Sequence, residues 1–164
     1  MPSMLERTTV SQGGNEAQSK RWRLATVKVL GFKEDLDSGS SDALGYRVQS
    51  DAVLDEENRL VLVVVHIDAV NGETEGDGTI GEIKVLCGFE LADLNEWRAE
   101  SEPVKVPRAL MASWLGITIS TARGALVGKA QSPVFGLVPF PAVSPMKELE
   151  QLMDLSDKEW LASV

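Results

Sequence analysis

The sequence has one cysteine, one histidine and one tyrosine, and these scarcities narrow the possible functions. A solitary Cys87 in a strand-like segment provides neither a disulfide framework nor a thiolate metal cluster, and it reads as a small buried hydrophobe. A solitary His66, with no serine or cysteine in a recognisable nucleophile motif, leaves catalysis little to build on. His66 therefore reads as structural or solvated, and no enzyme, cofactor or metal is expected. No glycine-rich phosphate loop follows a strand, so nucleotide binding lacks a motif. No uninterrupted apolar run approaches the ~20 residues that span a bilayer. Residues 1–20 lack the apolar stretch of a signal peptide, so a cytoplasmic protein without membrane insertion is the expectation. Positive charge is also short. Lys and Arg number 16 against 25 Asp and Glu, and the net charge of −9 repels nucleic acid phosphates and anionic membranes.

What is present suits one domain: 164 residues, 43% of them hydrophobic, suffice for a core. Residues 1–20 read as a disordered polar tail, 21–155 as the domain, and 156–164 as a short C-terminal helix or tail. Strand periodicity runs from Arg21 to Phe32, with Trp22, Leu24, Thr26, Lys28, Leu30 and Phe32 alternating against Arg23, Ala25, Val27, Val29 and Gly31. Further strands are predicted over Leu44 to Leu54, Arg59 to Val70 and Thr79 to Phe89. The third is apolar on both faces, with Leu60, Leu62 and Val64 on one and Val61, Val63, Val65 and Ile67 on the other. A sheet covered by helices on one side only has a polar outer face, so something else must cover this second face. The loop Asn71 to Glu82 partly matches an EF-hand calcium loop, but strands flank it and a hairpin loop is expected. After an acidic link, Glu90 to Glu102, the stretch from Pro107 to Lys129 has helical spacing of Leu110, Met111, Trp114, Leu115, Thr118, Ala122, Ala125 and Leu126.

That core helix also carries a ridge of small residues, Ala112, Gly116, Ser120, Gly124 and Gly128. Glycine costs about 1 kcal/mol in a helix interior, so the ridge predicts close packing, against the chain's own sheet or a second copy. Prolines in the following VFGLVPFPAV forbid a helix, and Ser144-Pro145 opens a short helix to about Leu155. Ser156 with Glu159 reads as a capping box for a last turn holding Trp160 and Leu161. Strands followed by helices predict an α+β two-layer domain.

From Arg59 to Leu152 the order of features resembles the SecB export chaperones and their SecB-like relatives. The fourth strand ends in Gly88-Phe89-Glu90-Leu91, the link carries a proline, and the helix holds Ile119-Ser120-Thr121-Ala122-Arg123-Gly124. The stretch Leu137 to Val143 is similar to the family's Leu-x-Pro-Val segment. Where typical members open the long helix on Phe-Pro-Tyr-Ala-Arg, this chain has VPRALMASW. The resemblance implies a four-stranded antiparallel sheet with a long helix and a short C-terminal helix on one face. It implies a homodimer or homotetramer that holds unfolded polypeptides without ATP. It also implies docking of the translocase motor SecA, with contact positions falling at Ile80 and Glu82. The expected function is thus a holdase for non-native chains, with protein export as its candidate setting; the alternative is a SecB-fold scaffold or dedicated partner-binding protein. Apolar burial is expected to drive client binding, through Leu60, Leu62 and Val64 aided by Trp22, Trp97 or Phe140, with the small-residue ridge as oligomer interface.

Overall fold

The alternating segments become four long strands, β1 (Trp22–Glu34), β2 (Leu44–Asp55), β3 (Leu60–Asn71) and β4 (Thr79–Leu91), paired antiparallel in the order β1-β4-β3-β2. This is a computed structural model, and it describes residues 20–35, 44–71, 78–132, 135, 140, 142–153 and 158–162. Two helices, α1 (Arg108–Lys129) and α2 (Pro145–Met153), complete the α+β two-layer fold that the sequence predicts.

The two central strands set the core. On β3, Val61, Val63, Val65, Ile67 and Ala69 are fully buried, as are Ile83, Val85, Cys87, Phe89 and Leu91 opposite them on β4. Alternate side chains of a strand point to opposite faces, so Leu60, Leu62 and Val64 lie on the other face, half-buried. The helices leave that face open. Gly88 belongs to it, and a Cβ there would meet the Thr26 methyl at 2.6 Å, so only glycine lets β1 lie this close.

β1 departs from the expected alternation. It is interrupted between Leu24 and Thr26 and again between Val29 and Gly31, each time by one extra residue relative to β4. Each such bulge reverses the face of every residue beyond it. Trp22, Leu24, Val27, Val29 and Phe32 therefore oppose core residues of β4, whereas Thr26, Lys28 and Lys33 oppose open-face residues.

Helix α1 buries Met111, Ala112, Trp114, Leu115, Thr118, Ile119, Ala122 and Leu126. The Thr118 hydroxyl donates to the Trp114 carbonyl at 2.8 Å, which satisfies a polar group sunk in the core. Pro107 is the N-cap, so the helix begins at Arg108, one residue into the stretch with helical spacing. By length and composition alone this 22-residue helix reaches what a membrane span needs, glycines and serines included. Its apolar face, however, is the one packed on the sheet.

The ridge on α1 divides in the fold. Ala112 is buried, and Gly116 sits under α2, where an added Cβ would lie 3.3 Å from the Pro145 ring. Ser120, Gly124 and Gly128 are exposed, with nothing within 4 Å of an added Cβ at either glycine. In place of the predicted last helical turn, Glu159 and Trp160 make a single turn closed by the Leu161 N–H donating to the Lys158 carbonyl at 3.0 Å. Leu161 forms a parallel bridge with Val106, whose N–H donates to the Trp160 carbonyl at 2.8 Å. Ser156, the loop 72–77 and most of the proline-bearing stretch lie outside the described residues.

On the inner side of α2, Glu148 is 8% exposed and accepts a hydrogen bond from the Ser50 hydroxyl at 3.3 Å. Burial pushes its carboxyl above the ordinary glutamate value, and the Ser50 bond offsets only part of that. A raised folded-state pKa contributes stability at acid pH that is lost as the pH rises through it. At neutral pH the ionised Glu148 is therefore a cost. Glu148→Gln is expected to raise the melting temperature at pH 7, with the gain vanishing well below the ordinary glutamate pKa. Melting curves of both proteins across that range check it, and a gain independent of pH would refute the charge as its cause.

Candidate functional site

Two surfaces flank β1. On the helix-covered side, the bulges direct an apolar row toward the core while α1 packs on β3 and β4, leaving the row uncovered. Trp22 is 36%, Leu24 43%, Val27 47% and Val29 41% exposed. β1 ends the sheet, so its outer backbone N–H and C=O groups lack a strand partner among the described residues. Such an edge is a template for another extended chain.

Both ends of this ledge are anchored. At the first, the Trp22 ring meets Trp114 edge-on at 5.5 Å and Phe89 at 5.9 Å, and Phe89 stacks on Trp114 at 4.9 Å and 13°. At the other, the Glu34 carboxylate accepts from the Gln131 N–H at 2.9 Å and the Ser132 N–H at 2.7 Å, just past the end of α1. The floor between them is Val27 and Val29.

The open face of the sheet carries Leu60, Leu62 and Val64, with Val53 at 52% and Leu30 at 49% exposure nearby. Leu30, Val64, His66, Lys84, Gln49 and Asp51 border a shallow depression of about 400 Å³. Charged pairs crowd the rest. Glu90 faces Arg23 and, at 3.5 Å, Arg59; Glu82 faces Lys33 at 3.3 Å; Asp68 faces Arg47 at 3.7 Å. His66 Nε2 lies 3.1 Å from Asp68 and 3.4 Å from Glu82.

The residues expected to bind a client do not form one surface. Leu60, Leu62 and Val64 share the open face and Trp22 the ledge on the reverse side. Trp97 is 1% exposed, so it belongs to the core, 6.1 Å from Trp114, rather than to any client surface. Phe140 is half-buried on Tyr46 at 4.7 Å under the Arg123 guanidinium. Of the positions matched to SecA contacts, Ile80 is only 4% exposed and unavailable to a partner, and Glu82 is tied to His66 and Lys33. Val27 and Val29, the floor of the ledge, were missed because uninterrupted alternation assigns them to the opposite face.

No family model matches the chain, and no curated protein matches it. Among solved structures, it is similar to a SecB-like chaperone of Mycobacterium tuberculosis in complex with a ChAD peptide from the HigA1 antitoxin. The identity is 12% and the TM-score 0.42, over 76% of this chain and 88% of that one.

Proposed function

We propose that the chain binds extended, non-native polypeptide without nucleotide, as a SecB-like holdase does, and that the β1 ledge is where it does so. The exposed row Trp22, Leu24, Val27 and Val29, beside a strand edge without a strand partner among the described residues, carries this reading. A client strand added to that edge gains backbone hydrogen bonds irrespective of its sequence, and it lays alternate apolar side chains on the ledge. Burial at about 25 cal/mol per Å² then supplies affinity that charge screening does not remove. The net charge of −9 keeps the loaded protein in solution.

The same edge, with the exposed stripe Ser120, Gly124 and Gly128, favours a second reading, a homo-oligomeric scaffold or dedicated partner-binding protein. One set of variants separates the two. Val27→Ser with Val29→Ser is expected to leave the fold intact and remove suppression of aggregation of an unfolding test protein, without nucleotide. Leu62→Ser with Val64→Ser is expected to keep most of that suppression. Full suppression by the ledge variant would sink the placement. No suppression by the unaltered chain, with mass by light scattering falling toward the monomer only in the ledge variant, would establish the second reading.

A further inference from the structure

We propose that His66, Asp68 and Glu82 form a zinc site on the open face of the sheet, independent of polypeptide binding. His66 and Asp68 stand two apart on β3 and so share a face, and the β3–β4 register sets Glu82 directly opposite Asp68. One donor atom from each of the three lies within 4.8 Å of the others. His66 Nε2 lies 3.1 Å from Asp68 Oδ1 and 3.4 Å from Glu82 Oε2. Zinc binds imidazole nitrogen and carboxylate oxygen at about 2.0–2.2 Å. Tetrahedral angles then put neighbouring donors about 3.3–3.5 Å apart, close to the spacing the two strands already impose.

The chemistry of the set fits the same ion. One imidazole with two carboxylates suits a borderline metal better than magnesium, which demands octahedral oxygen. Three protein ligands leave one position toward solvent, which water fills. The ligands rise from adjacent hydrogen-bonded strands, so binding requires side-chain adjustment but no backbone movement.

Neighbouring cations compete. Lys33 lies 3.3 Å from Glu82 with its side chain 83% exposed, and Arg47 lies 3.7 Å from Asp68 with its side chain 56% exposed. Lys84, opposite His66, adds a third positive charge on this face. Exposed pairs at these distances are weak and their long side chains swing aside cheaply, whereas the metal engages both carboxylates at once. The expectation of no metal treats His66 as isolated; alternation along β3 puts Asp68 on its face, and the register across β3 and β4 adds Glu82.

The test uses the full chain stripped with a chelator and titrated with zinc alone. Calorimetry is expected to give one zinc per chain. At a hundredfold excess over Kd the melting temperature should rise by roughly 5–10 °C. Cobalt in place of zinc should give the intense visible absorption of a tetrahedral site. His66→Gln and Glu82→Gln should each weaken binding at least about tenfold, and Lys33→Met, which removes a competitor, should tighten it. If His66→Gln lowers the intrinsic melting temperature, Asp68→Asn takes its place. The absence of saturable one-to-one binding at micromolar zinc, or equal binding by the Gln variants, would overturn the assignment.

Discussion

Val63→Ser combined with Val65→Ser is expected to unfold the domain, whereas Leu62→Ser combined with Val64→Ser, one residue out of phase, leaves it folded. Val63 and Val65 are both 0% exposed, between β3 and the helices. Each substitution forfeits about 1.5–3 kcal/mol of burial and sinks a hydroxyl that costs about 1–3 kcal/mol more if unpaired. The pair together rivals the whole stability of an ordinary domain, about 5–15 kcal/mol. Leu62 and Val64 are half-buried on the open face, where a serine hydroxyl reaches water. Urea melts followed by circular dichroism decide it. If the Leu62 and Val64 pair is the one that unfolds, the two faces of β3 are exchanged.

Trp114→Ala is expected to cost about 3–5 kcal/mol, the range for emptying a buried aromatic site. The ring is 0% exposed, stacked on Phe89 at 4.9 Å, with Trp22 edge-on at 5.5 Å and Trp97 at 6.1 Å. Its removal opens a cavity between α1 and the sheet and frees Trp22, which anchors one end of the ledge. Trp114→Phe keeps the stacking and discards an indole N–H that is buried without a hydrogen-bond partner among the described residues, as Trp97's also is. It is therefore expected to cost much less than alanine. Chemical denaturation of both variants tests this, and a loss below about 1 kcal/mol for alanine would show that the cluster does not organise the core.

Much of this architecture was legible because burial imposes periodicity. Val61 to Ile67 alternate with Leu60 to Val64, and α1 repeats its apolar residues at helical spacing, so strand and helix follow from pattern alone. The two bulges of β1 escaped, since nothing local separates Ala25 or Leu30 from residues in regular alternation. Only pairing with β4 reveals the extra residue. That omission hid Val27 and Val29, the floor of the proposed binding ledge. Trp97 was misplaced for a related reason. An aromatic in an acidic link looks exposed until the short turn Leu94–Trp97 folds it beneath α1. That His66 and Asp68, two apart on a strand, share one face was legible, whereas Glu82 joins them only through the register.

The strand order β1-β4-β3-β2 bears on how the chain acquires its structure. β2, β3 and β4 are sequential neighbours and close through short connections. β1 leaves the ribosome first yet must wait for β4 before Trp22 can pair with Leu91. Contacts so distant in sequence pay their loop-closure entropy late and slow the reaction. Pulse-labelled hydrogen exchange during refolding should find the β1 amides protected last, after those of β3. Until then the nascent protein carries an unsatisfied apolar strand of its own, and in that interval it is itself an extended apolar chain of the kind proposed to dock on the ledge.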